Sequence, residues 1–374
     1  MTDTGNPLHV KELAADPADR PVLASMSTLD RFLPVWIAVA MALGLALGRV
    51  FPAIRDWLDA VKIGQTSLPI AAGLLLMMYP VLAKVRYEEI GHLTRDRRML
   101  WLSLLLNWVI GPALMFTLAW VFLSDEPAYR TGVIVIGLAR CIAMVLIWND
   151  LARGDREAAA LLVAVNSLFQ IAAYALLGAF YLKILPGMLG LDTADVHFSI
   201  ADITQAVAIF LCVPLATGYL TRRVGVARLG AERYETRFLP RIGPIALYGL
   251  LFTIVVMFAL QGEKITAEPL TVARIALPLL AYFVLMWTIS FWLARRVGLG
   301  YERSATVAFT AAGNNFELAI AVAVGMWGVT SGQALAGVVG PLIEVPVLVA
   351  LVYLALSLRQ RMLGKPTTSN RAIG

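Results

Sequence analysis

Charged residues are scarce in this sequence and absent from long stretches of it. Only 15% of its 374 residues are charged and 59% are hydrophobic, whereas about one-quarter of a soluble domain is charged. The stretches without any Asp, Glu, Lys or Arg are 63–83, 99–124, 158–182, 203–221, 242–262, 275–294 and 318–343. Because a membrane-spanning helix needs about 20 mostly apolar residues, these stretches predict an all-α polytopic membrane protein.

The sequence also lacks the motifs of nucleotide-driven pumps and of hydrolytic enzymes. It contains no Walker A motif and no nucleophile elbow. Its three histidines, His9, His92 and His197, lie in predicted tails or loops without the spacing of a zinc site. Its two cysteines both lie inside apolar stretches, which excludes a disulfide framework. We therefore expect no enzyme activity and no cofactor.

The apolar stretches indicate ten membrane-spanning segments. Their predicted ranges are 32–48, 66–83, 99–123, 131–149, 158–182, 203–221, 243–261, 272–294, 304–327 and 334–358. Outside them, Lys and Arg number 23 on the side that carries both termini and 6 on the other side. By the positive-inside rule, this imbalance predicts a multi-pass protein with both termini cytoplasmic, and we expect it in the plasma (inner) membrane. The net charge of +6 has the same explanation, so we expect no nucleic-acid partner.

Weak internal similarity divides the ten segments into two halves of five. The start of segment four, 130–133, resembles the start of segment nine, 303–306, at an offset of 173 that sets Cys141 opposite Asn314. Halves with an odd number of segments must insert with opposite topology, which is the inverted-repeat plan of many secondary transporters. In that plan the substrate site forms near the midplane, at matched and interrupted helices.

The predicted domain organisation follows from these segments. One ten-helix transporter domain spans 32–358, with repeat one at about 32–182 and repeat two at about 203–358. Polar cytoplasmic tails, 1–31 and 359–374, flank it. The first tail has no basic start followed by an apolar core, so we expect no cleavable signal peptide.

Segment nine carries polar residues inside the apolar stretch AAGNNFELAIAVAVG. Gly313, Asn314 and Asn315 suit a helix interior poorly, because glycine loosens the backbone and asparagine side chains compete for its hydrogen bonds. Glu317 follows, and a carboxylate at membrane depth must pair, bind a proton or face water. Intramembrane acids usually mark transport paths or proton relays, so we favour a functional role over a structural hydrogen bond.

Segment four contains a cation and a thiol side by side. Arg140 keeps its charge, so it needs a carboxylate, carbonyl groups or water within reach. A structural ion pair with an acid such as Glu317 is one alternative. Cys141 alone would normally be a small apolar filler. Its cationic neighbour and its match to the Gly-Asn-Asn sequence of segment nine favour a soft ligand instead.

Segment ten carries a second intramembrane acid, Glu344, between Pro341 and Pro346. Prolines leave carbonyl groups of the helix unpaired. Glu344 therefore either satisfies this broken backbone or carries a proton or a cation, and the residues alone favour neither role.

Segment five presents a polar stripe on one helix face. Asn166 and Gln170 are four residues apart, and Tyr174 continues the same face. Such stripes more often form hydrogen bonds between helices than bind substrate, so Asn166, Gln170 and also Gly313 are second-tier candidates. Cys212 in segment six has no charged neighbour and is predicted to pack.

Three motifs resemble those of a known transporter family. GLARCIAMVLIWNDLARGD (137–155) closely resembles the segment-four signature of the arsenical-resistance arsenite efflux permeases, which belong to the bile acid/arsenite/riboflavin transporter superfamily. GNNFELAIAVAVG (313–325) and GPLIEVPVLVAL (340–351) resemble that family's segments nine and ten. The resemblance runs from about residue 31 to residue 360.

This resemblance implies both a fold and an activity. The implied fold has ten helices in a five-plus-five inverted repeat, with panel and core domains and discontinuous helices four and nine that cross in the core. The implied activity is efflux of arsenite, with antimonite as a second substrate, by proton-coupled antiport across the lipid bilayer. The family's essential cysteine falls on Cys141 and its essential glutamate on Glu317.

The chemistry of trivalent arsenic agrees with this implication. Arsenic is soft, so the Cys141 thiolate is the expected arsenic ligand, and a single thiolate should still release its substrate. Arsenite is a neutral trihydroxide whose hydroxyl groups can accept and donate hydrogen bonds. The predicted substrate-binding residues are Cys141, Glu317, Asn314, Asn315 and Arg140. Glu317 and Glu344 are the predicted proton-coupling residues.

Three other interpretations stay open. A sodium-coupled carrier of an organic anion with the same fold would use Glu317 and Asn314 as cation ligands, but it gives no reason for Cys141 beside Arg140. A metalloid sensor that does not transport would need an output domain, for which the short tails leave no room. A channel would carry substrate only downhill and would ignore a proton gradient.

Overall fold

The computed structural model describes most of the chain between its two tails. The described residues are 32–51, 53–54, 62–63, 66–85, 97–142, 144–191, 200–267 and 269–363. The predicted tail 1–31, the end of the tail 359–374 and the three histidines lie outside these ranges. The described part is helical except for a short hairpin, in which β1 (Lys62–Ile63) pairs antiparallel with β2 (Thr66–Ser67).

The helices are numbered α1 to α12 in chain order. The first six are α1 (Leu33–Val50), α2 (Leu68–Ala83), α3 (Arg97–Phe122), α4 (Pro127–Leu138), α5 (Met144–Leu151) and α6 (Arg156–Met188). The others are α7 (200–229), α8 (231–267), α9 (Pro269–Arg296), α10 (Tyr301–Ala312), α11 (Phe316–Trp327) and α12 (Gly332–Leu363). In the described part, six helices are long and apolar enough to cross a membrane, namely α3, α6, α7, α8, α9 and α12. The chain is therefore a multi-pass helical membrane protein.

Four of the long helices contain a wide, π-helical turn just before a proline. The turns are Leu106–Ile110, Phe180–Ile184, Ala208–Cys212 and Tyr234–Phe238. The prolines are Pro112, Pro186, Pro214 and Pro240, each two residues beyond its turn. A proline ring clashes with the carbonyl four residues earlier, and the wider turn moves that carbonyl aside. The wider turn therefore relieves the proline clash in these four helices.

Segments four and nine are each divided into two helices. In segment four, α4 ends at Leu138 and α5 begins at Met144. In segment nine, α10 ends at Ala312 and α11 begins at Phe316. In both segments the backbone after the first helix is extended, with φ −91° and ψ 119° at Ala139 and φ −70° and ψ 140° at Gly313. Each segment thus places two helix ends inside the apolar part of the protein.

The helices pack in two groups. One group consists of α1, α2, α8 and the second half of α7, and the other consists of α3–α6 and α9–α12. Within the first group, Gly44 and Gly48 bring α1 onto the backbone of α8, since an added Cβ at Gly48 would lie 2.2 Å from the carbonyl oxygen of Ala259. Close approach at small residues is typical of packing between membrane helices. The first half of α7 contacts α6 and α11 of the second group.

Helices α7 and α8 are longer than segments six and seven were predicted to be. They cover the basic stretch 222–242, which was predicted as a loop, and meet at Gly230, whose φ is 80°. Inside this stretch, buried Arg222 pairs with Glu235 at 3.3 Å. The hydroxyl group of Tyr234 donates to a carbonyl at the end of α2, at 3.1 Å. These contacts hold the basic turn as a helix, which charge patterning alone does not reveal.

Candidate functional site

The breaks in segments four and nine lie against each other, and residues 139–142 and 313–315 together are named the crossing. At its centre, Arg140 and Asn314 form an antiparallel backbone bridge. This pairing is one residue away from the correspondence of Cys141 with Asn314 that the sequence offset gives.

The backbone groups of the crossing satisfy one another. The N–H of Cys141 donates to the carbonyl of Gly313 at 3.2 Å, and the N–H of Asn315 donates to the carbonyl of Ala139 at 3.0 Å. Helix ends leave such groups without partners inside their own helix. Unpaired backbone is costly at membrane depth, so this reciprocal pairing explains how two broken segments can meet there.

Cys141 packs closely against Gly313 in the crossing. An added Cβ at Gly313 would lie 2.9 Å from the Cβ of Cys141 and 3.6 Å from its Sγ. A larger residue at position 313 would therefore displace the Cβ of Cys141 or its own backbone. Cys141 itself is buried, with 4% of its surface exposed. Gly313 thus sets the spacing of the site.

The two asparagines of the crossing carry amide atoms that no described residue satisfies. Asn314 is buried, and neither its Nδ2 nor its Oδ1 has a hydrogen-bond partner among the described residues. Asn315 accepts from the N–H of Leu318 at 2.9 Å, which caps α11, while its Nδ2 is unpaired in the same part of the chain. A buried polar atom without a partner costs about 1–3 kcal/mol. These amides are therefore suited to bind a polar ligand.

Both predicted proton-coupling acids lie beside the crossing. Glu317 is partly exposed and belongs to the first turn of α11, where the helix dipole favours a negative charge. Glu344 on α12 is buried; its carboxyl group lies next to the backbone amide of Asn314 and within electrostatic range of Glu317. Its Oε1 has no hydrogen-bond partner among the described residues. The structure therefore places Glu344 of α12 against the backbone of the crossing, although it is 30 residues from Asn314 in sequence.

Arg140 is fully buried and donates to neutral oxygens. Its Nη1 donates to the hydroxyl group of Tyr282 at 2.7 Å and to the carbonyl of Ala311 at 3.3 Å. Its Nη2 donates to the carbonyl of Gly137. Among the described residues Arg140 forms no ion pair, so the structure does not contain the pair with Glu317 that the sequence left open.

The polar stripe of segment five makes contacts between helices. The Oε1 of Gln170 accepts the backbone N–H of Arg140, and the Oδ1 of Asn166 accepts the indole N–H of Trp108 at 3.1 Å. Tyr174 donates to a carbonyl of α4 at 3.0 Å. The stripe thus fixes α6 to α3, to α4 and to the crossing. Cys212 is partly buried in α7.

Sequence reasoning missed Tyr282, which is fully buried on α9 and contacts Arg140. One signal was present: Arg140 needs acceptors, and Tyr282 supplies a hydroxyl oxygen within the charge-free stretch 275–294. Tyrosine is too common in membrane proteins for that signal to single it out.

Within the described residues, no group of three or more His, Cys, Asp or Glu side chains is arranged to hold a metal ion.

Comparison with known proteins gives consistent relatives. Residues 71–268 match the sequence model of the sodium bile acid symporter family. The chain is 54% identical to the arsenical-resistance protein Acr3 of Corynebacterium glutamicum, over 91% of this chain and 92% of that protein. It is 32% identical to Acr3 of Alkaliphilus metalliredigens, over 86% and 91% of the two chains. It is 34% identical to an uncharacterized transporter of Synechocystis sp., over 88% of each chain.

Proposed function

The chain belongs to the Acr3 family of arsenical-resistance proteins, which are membrane transporters rather than enzymes, and we propose that it exports arsenite. Antimonite is the proposed second substrate, and proton-coupled antiport is the proposed source of energy. The observation that carries the proposal is the crossing, where a thiol, unpaired amides and two carboxyl groups meet at the junction of two broken helices.

The proposed binding site holds arsenic through Cys141. The thiol of Cys141 suits a soft trivalent centre: it displaces one hydroxyl group of arsenite, which leaves as water with the thiol proton. Addition of water to this single As–S bond reverses the step and releases the cargo. The amides of Asn314 and Asn315, together with the carboxylate of Glu317, hydrogen-bond the hydroxyl groups of arsenite. Arg140 is a further proposed binding residue, and Gly313, Asn166 and Gln170 are second-tier residues of the same site.

Proton coupling is proposed to run through Glu317 and Glu344. In the proposed cycle Glu317 alternates between binding a proton and accepting hydrogen bonds from arsenite as a carboxylate, so the site carries either a proton or the substrate. Glu344, within electrostatic range of Glu317, relays the proton. This exclusion would make the exchange obligatory, so arsenite leaves the cell only as a proton enters.

The proposed architecture has ten spans in two inverted repeats. Spans four and nine are the broken pairs α4–α5 and α10–α11, which occupy the same place in each half. The proposed panel domain consists of α1, α2, α7 and α8, and the proposed core domain consists of the remaining helices. The packing supports this division except for the first half of α7, which contacts α6 and α11. The excess of Lys and Arg supports cytoplasmic placement of both termini, including the tails 1–31 and 359–374.

Arsenite uptake into everted membrane vesicles tests this proposal. With an imposed gradient, acid inside, we expect uptake that a protonophore abolishes and that replacement of Na⁺ by choline leaves unchanged. Vesicles without the protein are the control. Uptake that ignores the gradient would indicate a channel, and binding without uptake would indicate a sensor; either result would contradict the proposal.

A sodium-coupled carrier of an organic anion is the second candidate, because the matching family model is that of sodium bile acid symporters. The same vesicles separate the two candidates. A carrier of that kind would require a Na⁺ gradient and would transport its substrate normally after Cys141→Ala. The proposed arsenite exporter would need no Na⁺ gradient and would lose transport after Cys141→Ala.

A further inference from the structure

Arg140 connects the ends of two different helices. It donates to the carbonyl of Gly137, next to the last residue of α4, and to that of Ala311, next to the last residue of α10. Carbonyl groups in the last turn of a helix have no partner within that helix. One side chain therefore caps both of the half-helices that enter the crossing.

The two capped ends also share an electrostatic requirement. Each helix C-terminus carries about half a negative charge from its aligned peptide dipoles. Both α4 and α10 direct that end at the crossing, where there is little water to screen it. The guanidinium of Arg140 does not lose its proton. Its single positive charge therefore roughly equals the sum of the two partial negative charges at the C-termini of α4 and α10.

Tyr282 holds the guanidinium in this position from a third helix. Its hydroxyl group accepts from Nη1 of Arg140 at 2.7 Å and donates to the carbonyl of Ala311 at 3.2 Å. The space is closed on a further side by Gly111 of α3, where an added Cβ would lie 2.9 Å from Nη1 of Arg140 and 3.1 Å from the Tyr282 hydroxyl oxygen. The niche therefore fits the guanidinium and the hydroxyl together.

We propose that Arg140 is the fixed counter-charge of the α4 and α10 C-termini and that Tyr282 is the positioning residue that keeps it there. Because Cys141 follows Arg140 directly, this clamp also holds the thiol against Gly313. The clamp deepens the proposed function, and its consequence for transport rests on that function. Its consequence for the thiol does not, because it concerns the geometry of the crossing alone.

The reactivity of Cys141 reports on the clamp without any substrate. The chain has only two cysteines, so Cys212→Ser leaves Cys141 as the single thiol. In that background, Tyr282→Phe removes one hydroxyl group and keeps the ring. We expect N-ethylmaleimide to modify Cys141 about tenfold faster, the factor that loss of one hydrogen bond to a charged group produces. The measurement is the modification rate in native membranes.

A matched control is Tyr234→Phe in the same background. Tyr234 is also fully buried and donates to one carbonyl, at 3.1 Å, but it lies in the first helix group, away from the crossing. We expect its modification rate to equal that of the parent protein. Equal rates for Tyr282→Phe and the parent would overturn the clamp. Faster modification in both variants would do so too, because it would reflect general loosening.

Two further variants keep the test decisive if Tyr282→Phe folds poorly. Arg140→Lys keeps the charge but cannot span several acceptors as a guanidinium does. Gly111→Ala crowds Nη1 and the hydroxyl group directly. Both should speed modification of Cys141, and unchanged rates in both would reject the clamp.

In the vesicle assay, Tyr282→Phe should lower the maximal rate of arsenite uptake more than it changes KM, because Tyr282 does not touch the proposed substrate. Failure of the native protein to transport arsenite would reject the proposed function while leaving the thiol result intact.

Discussion

The two breaks that form the crossing share a backbone arrangement and differ in chemistry. Each leaves its first helix in extended conformation, and the two pair through reciprocal hydrogen bonds. The first break supplies a cation and a thiol, Arg140 and Cys141, whereas the second supplies amides and is followed by Glu317. A nearly symmetric scaffold therefore carries an asymmetric site, with a soft ligand on one side and hydrogen-bonding groups on the other.

The largest expected effect comes from removing the soft ligand of the first break. Cys141→Ala should reduce arsenite uptake into everted vesicles to the level of vesicles without the protein, because the crossing, residues 139–142 and 313–315, contains no other cysteine. Cys212→Ala is the control and should transport normally. Normal uptake by Cys141→Ala would mean that the thiol only packs.

Removing the acid after the second break should separate coupling from binding. Glu317→Gln keeps a hydrogen-bonding group but cannot exchange a proton, so uptake should no longer respond to the pH gradient. Uptake measured with and without a protonophore gives the answer. A Glu317→Gln variant that stays gradient-dependent would assign coupling elsewhere, with Glu344→Gln as the next variant to examine.

The spacing between the two breaks should matter next. Gly313→Ala places a Cβ 2.9 Å from the Cβ of Cys141, and overpacking of this kind costs about 1–3 kcal/mol. We expect a lower unfolding temperature together with slower arsenite uptake. Gly300→Ala is the matched control, because a Cβ added there meets nothing within 4 Å. Equal behaviour of the two variants would contradict the tight contact.

Polar residues in apolar stretches made much of the candidate site predictable from the sequence. A polar or charged side chain at membrane depth is costly, so residues of this kind usually have a function. Those that stand out in this sequence are Asn314, Glu317, Arg140 and Glu344. The break in segment four could not be predicted from its own residues, since no proline or glycine pair marks it. It depends on pairing with segment nine, 174 positions away between Arg140 and Asn314. Such tertiary pairing leaves no local signal.

The cap on the second break allows a finer test. Asn315→Ala removes the side chain that accepts from the N–H of Leu318, and loss of an N-cap typically costs about 1 kcal/mol. Ser331→Ala removes a similar cap, where Ser331 accepts from the N–H of Ala334 at 3.1 Å. Both variants should unfold at slightly lower temperature, but only Asn315→Ala should also raise KM for arsenite. A raised KM in both would place the effect in general stability.

The smallest effect is expected outside the crossing. Asp125, in the loop between α3 and α4, pairs with Arg274 of α9. The Arg274 guanidinium lowers the pKa of Asp125 below its usual value of 3.8. Since the folded-state pKa is lowered, the stabilisation is present at neutral pH and is lost as the pH falls through that lowered pKa. Asp125→Asn should therefore reduce the unfolding temperature slightly at pH 7 and no longer do so in strong acid.

X-ray absorption at the arsenic edge tests the central claim most directly. Purified protein with bound arsenite should show one sulfur neighbour of arsenic, completed by oxygen, in the native chain and in Cys212→Ser. The sulfur neighbour should be absent in Cys141→Ala. An arsenic surrounded only by oxygen in the native protein, or a sulfur neighbour that persists in Cys141→Ala, would contradict the assignment of Cys141 as the arsenic ligand.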